Sequence, residues 1–98
     1  MSRHVPRKDR WQRLGPAAYR SAGLLVRFER GAWWADVCYR LLAADAPPAE
    51  LPAWEPHRDR LGPFKRPRNA MVEGERHATL LRNRHGPHVE FDPSPLPG

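Results

Sequence analysis

The clearest alternation of apolar and polar positions begins at Leu24. Leu24, Val26 and Phe28 fall on one side and Arg27 and Glu29 on the other, the period-two pattern of a half-buried strand. Gly31 then permits the positive φ of a tight turn. Beyond it Trp33, Ala35, Val37, Tyr39 and Leu41 make a continuous apolar face, opposed by Trp34, Asp36, Cys38, Arg40 and Leu42. The pattern predicts two strands joined as a hairpin. A helix over 33–44 competes with it, since Asp36 and Arg40 would pair at i,i+4 and Leu41-Leu42-Ala43-Ala44 has good helical propensity. Adjacent tryptophans, Val37 and the well-placed turn favour the strand. Neighbours on a strand point to opposite faces, so one of Trp33 and Trp34 belongs to the core and the other needs cover.

The flanks are harder to read. Pro47, Pro48, Pro52, Pro56, Pro63 and Pro67 exclude a long helix or a central strand, so 45–69 reads as a long Pro-rich loop with one helical turn around 49–54. Strands are predicted again over 71–75, 77–82 and 88–92, with a turn at 83–87. In 1–20, Trp11, Leu14 and Ala18 have helical spacing, but Gly15-Pro16 interrupts it and the segment reads as an extended arm. The expected fold is β-rich, all-β or α+β. It is a small curled sheet or barrel of about four or five short strands over 21–92, after the 1–20 arm and before a Pro-rich tail at 93–98. The expected core is Leu24, Val26, Phe28, Val37, Tyr39, Leu80, Val89 and Phe91.

Composition narrows the class. Ninety-eight residues suit one domain, and 40% hydrophobic content supports a modest core. The lone Cys38 excludes an intramolecular disulfide framework and a multi-cysteine zinc finger, which makes a reducing, cytoplasmic setting the expectation. No apolar run reaches the roughly 18 residues of a membrane span, and the charged start lacks the apolar segment of a signal peptide.

Charge changes the picture most. The net charge of +6 attracts polyanions, although an arginine-, alanine- and proline-rich chain also follows from GC-rich coding. The excess is concentrated, with Arg3, Arg7, Lys8, Arg10, Arg13 and Arg20 in the arm against Asp9 alone. Arg58, Arg60, Lys65, Arg66 and Arg68 punctuate the central loop, interleaved with Trp54, His57 and Phe64. That mixture suits phosphate contacts plus base stacking. It equally suits a protein interface, or a solvated loop that Trp54 and Phe64 fold over the sheet.

Catalytic and metal signatures are absent. His77, His85 and His88 with Glu90 have no metal-ligand spacing, and Gly86-Pro87 marks a turn among them. Cys38 in mid-strand reads as a small hydrophobe, and Ser2, Ser21 and Ser94 lie on no nucleophile elbow. The carboxylates stand singly among arginines, and no phosphate-cradling glycine loop occurs. The expected function is a nonenzymatic nucleic-acid-binding module without metal or cofactor, RNA ahead of DNA. Arg3, Arg7, Lys8, Arg10, Arg13, Arg58, Arg60, Lys65, Arg66 and Arg68 would contact phosphates; Trp34, Trp54 and Phe64 would stack or form an interface. The alternative is an accessory subunit of a protein or ribonucleoprotein assembly, for example a phage particle, that meets an acidic protein surface, and a third reading is a small nuclease- or toxin-like enzyme.

Overall fold

The computed structural model describes residues 10–42 and 54–95. They form six strands, β1 (Gln12–Gly15), β2 (Ala18–Ser21), β3 (Leu24–Glu29), β4 (Ala32–Leu42), β5 (Trp54–Phe64) and β6 (Val89–Phe91), and one helix, α1 (Pro67–His85). The strands make a single antiparallel sheet in the order β1-β2-β3-β4-β5. β6 pairs with β4 at Tyr39–Leu41, continuing past the end of β3. The sheet is open, so the barrel expectation is corrected to an α+β fold with one helix against one sheet face.

The β3–β4 hairpin forms as the alternation predicts. Arg30 (φ 53°) and Gly31 (φ 77°) both take positive φ, which gives the two-residue turn whose twist matches paired strands. Register places Leu24, Val26 and Phe28 opposite Val37, Ala35 and Trp33, all facing α1.

Three flanking expectations are corrected. First, 71–75 and 77–82 are not strands but the middle of α1. Ala70, Gly74, Ala78 and Leu81 recur at helical spacing and are the buried stripe. Pro67 supplies a preset first turn, and Gly86 ends the helix at positive φ, its N–H bonded to the Arg82 carbonyl. Second, 54–64 is not loop but the eleven-residue strand β5. Its prolines are tolerated because it is an edge strand, with β4 as its only neighbour in the sheet order; the rest of the predicted loop, 43–53, lies outside the described residues. Third, within the segment read as an arm, 12–21 forms β1 and β2 and extends the sheet. Trp11 packs against both core clusters, and its Nε1 donates to Glu75 Oε2 at 2.8 Å.

The core lies between sheet and helix. Leu24, Val37, Tyr39, Ala78 and Leu81 form one cluster, and Val26, Ala35 and Ala70 the other. Small residues let the helix approach closely. A Cβ at Gly74 would sit 3.3 Å from Leu24 Cδ2 and 3.4 Å from the Ala35 Cβ. Of the predicted core, Leu24, Val26, Val37 and Tyr39 are buried, whereas Val89 and Phe91 are only partly so. Phe28 and Leu80 are corrected to exposed, at 49% and 62%. Leu80 turns outward because its segment is a helix, and Phe28 packs edge-on against Trp33, 5.5 Å between ring centroids.

Candidate nucleic-acid interface

The face of the sheet away from α1 follows from the same register. On β4 it carries Trp34, Asp36, Cys38, Arg40 and Leu42; opposite these stand Arg27 and Leu25 on β3 and Arg60, Arg58, Pro56 and Trp54 on β5. Arg20, paired with Leu25, brings β2 into the same face. Five arginines from four strands therefore share one surface with the carboxylates of Glu29, Asp36 and Glu90, and Asp92 lies at its Cys38 end.

Asp36 organises the centre. It is 2% exposed, and its Oδ1 accepts from Arg60 Nε at 3.0 Å while Oδ2 accepts from Arg58 Nη2 at 2.9 Å. Arg27 Nη2 stands 3.5 Å from Oδ2, and Arg60 Nη2 also reaches Glu29 Oε2 at 2.8 Å. Burial pushes the Asp36 carboxyl up, but hydrogen bonds and charge from Arg60 and Arg58 outweigh it and hold the pKa below the usual 3.8. Arg27 Nε is buried and has no acceptor among the described residues.

The indoles brace this lattice. The Arg60 guanidinium lies 5.2 Å from the Trp34 ring centroid and that of Arg40 lies 5.8 Å from Trp54. Trp34 Nε1 donates to the Glu29 carbonyl at 2.9 Å, so its cover comes from β5 and the hairpin itself. Gly62 (φ 138°) is required beside it, since a Cβ there would fall 2.9 Å from Trp34 Cε3.

The structure thus brings together four of the predicted site residues, Arg58, Arg60, Trp34 and Trp54. Phe64 lies on the helix-facing side, where it packs against the Val26–Ala35–Ala70 cluster. Arg13 pairs with Tyr19, which pairs with Val26, so it too belongs to the opposite face. Arg10 is exposed just before β1; Lys65, Arg66 and Arg68 lie at the corner between β5 and α1, where Lys65, Arg66 and Arg68 are exposed. No acidic residue occupies the first turn of α1, leaving those cations at the positive end of the helix dipole. Arg3, Arg7 and Lys8 lie outside the described residues.

Arg20, Arg27, Arg40, Asp36 and Glu29 are site residues that the sequence reading does not single out. Their signal is the polar half of the hairpin alternation, legible for β3 and β4 but without a partner until β5 is recognised as a strand.

A second polar group lies on the helix side. Asp59 Oδ2 accepts from Tyr39 Oη at 2.7 Å and stands 2.8 Å from His77 Nε2, tying β4, β5 and α1 together. Burial and the Asp59 bond push the Tyr39 phenol up to about 12. His57 stacks on Tyr39 at 5.3 Å. Among the described residues no three His, Cys, Asp or Glu side chains are placed to hold a metal ion, and no helix is long and apolar enough to cross a membrane. No family model matches the chain, and neither the curated proteins nor the solved structures contain a significant match to it.

Proposed function

We propose that the chain is a nonenzymatic nucleic-acid-binding module and that the open sheet face is its contact surface. The observation that carries this reading is the convergence of Arg20, Arg27, Arg40, Arg58 and Arg60 on one face. Guanidinium forks fixed by carboxylates are preorganised for phosphate oxygens and for base-edge acceptors. Lys65, Arg66 and Arg68 extend the positive surface at the β5–α1 corner.

Single-stranded RNA calls for bare aromatic rings on which bases can stack. Trp34 and Trp54 instead carry arginines on their rings, which favours a double-stranded partner read from outside the stack.

Fluorescence anisotropy with duplex DNA, duplex RNA and single strands across a salt series tests the reading, with heparin as a polyanion that has no bases or groove. Either duplex should bind more tightly than the single strands, and Arg40→Ala should make the slope of log K against log[salt] shallower by about 0.7–0.9 for each phosphate that is no longer neutralised. Equal affinity for heparin and duplex DNA would reduce the surface to a cation exchanger. No salt-dependent binding to any nucleic acid would favour an acidic protein surface as the partner.

A further inference from the structure

One part of the arginine face is already occupied by the chain itself. β6 continues into Asp92, whose N–H donates to the Cys38 carbonyl at 3.0 Å and whose carbonyl accepts from the Gly23 N–H. The chain then turns, with the Ser94 N–H bonded to Asp92 Oδ1 at 3.0 Å. Pro95 is fully buried, although it lies near the end of the sequence and its neighbours Pro93 and Ser94 are exposed. Pro93 and Pro95 share a cavity of about 780 Å³ with Cys38, Arg40 and Arg58. Cys38 is only 8% exposed and Leu25 fully buried, on a sheet face that no helix among the described residues covers.

We propose that Asp92–Pro95 is a strap over the Cys38 end of the arginine face, and that it lowers the affinity of that face for nucleic acid until it is displaced. The inference rests on the proposed function and adds its regulation. The strap lies at the end where Arg40 and Arg58 flank Cys38, so a partner spanning both arginines must meet it. The strap swings from Asp92, so the two backbone bonds that tie Asp92 to Cys38 and Gly23 stay in place when Pro93–Pro95 is displaced. Pro93 and Pro95 have no N–H to give the sheet, and the Ser94 N–H is used within the strap. The strap is held by burial of Pro95, and an apolar contact of that size is compatible with an open state of minor population.

A closed strap reduces apparent affinity by the fraction of open molecules, and the same opening limits chemical access to Cys38. Two readouts therefore move together. Pro95→Ser in the full chain removes the buried ring, and Pro93→Gly loosens the turn outside the sheet. Thermal unfolding confirms that each variant is folded. In both variants the rate of Cys38 reaction with dithiobis(nitrobenzoate) should rise, and duplex DNA should bind up to about tenfold more tightly. Variants that expose Cys38 but bind with unchanged or weaker affinity would overturn the strap while leaving the proposed function standing. Unchanged Cys38 reactivity in both would overturn it as well. If neither the parent chain nor the variants bind duplex DNA or duplex RNA, the functional reading and the strap fall together; binding by the variants alone is complete autoinhibition and supports both.

Discussion

At the scale of single residues, Asp36 carries the most consequence. It sits in mid-strand among arginines, and its sequence position alone suggests a solvated carboxylate. The structure buries it and directs three guanidinium groups at its two oxygens. Breaking a buried ion pair by removing one partner costs about 3–5 kcal/mol, but Arg58 and Arg60 keep more than a third of their side-chain surface in water. Allowing for that screening, Asp36→Asn should destabilise the domain by about 2–3 kcal/mol in urea unfolding. A loss below about 0.5 kcal/mol would mean that solvent satisfies the arginines and that Asp36 does not organise the face. The polar half of β4 was legible from its alternation. What the sequence hid was the partner, because Arg58 and Arg60 are recognised as facing Asp36 only after 54–64 is placed as a strand.

Elements were legible where one physical signal dominated. The β3–β4 hairpin combined strict alternation with Gly31 at the turn, and it formed with both tryptophans on opposite faces. β5 was obscured because Pro56 and Pro63 signal a loop unless the strand is known to lie at an edge, which is a property of the sheet and not of the segment. α1 was obscured differently. Its buried stripe is Ala70, Gly74 and Ala78 with Leu81, and small residues give a weak hydrophobic period beside Val72 and Leu80, which point elsewhere. The stripe makes sense only against a sheet that the helix must approach closely.

Trp11 provides the test at this scale, since it joins the segment before β1 to α1 through Glu75 and packs on both core clusters. Full truncation of a buried Trp costs about 3–5 kcal/mol, so a half-buried one should cost about 2. In a domain of this size, Trp11→Ala should lower the melting temperature by about 10 °C. An unchanged melting temperature would return the first residues of the chain to the status of a tether.

At the scale of the whole molecule, the sheet separates two kinds of chemistry, and ionisation links both to stability. Asp36 on the open face and Asp59 on the helix side have native pKa values below the ordinary 3.8; in both, bonds and charge from neighbours outweigh the opposing effect of burial. Above that value the carboxyls are ionised folded or unfolded, and the native state keeps their full contribution. As pH falls below it the unfolded chain takes up protons first, so the contribution declines until the native pKa values are passed. The alkaline side has the opposite sign. Burial raises the Cys38 thiol above 9.0, and burial with the Asp59 bond raises the Tyr39 phenol from 10.0 to about 12. Their contributions are complete below the unfolded values and are lost as pH rises through the native ones. Melting temperature measured across pH at constant ionic strength should therefore have an acid limb below about pH 4 and an alkaline limb above about pH 9. Asp36→Asn should flatten the acid limb and leave the alkaline one, whereas Tyr39→Phe should flatten the alkaline limb and, by removing a hydrogen bond that holds the Asp59 carboxyl down, also lessen the acid one. An acid limb just as steep in Asp36→Asn would mean that Asp36 contributes nothing to folding and that Asp59 and Glu29, whose carboxyl the Arg60 hydrogen bond also lowers, account for the acid sensitivity.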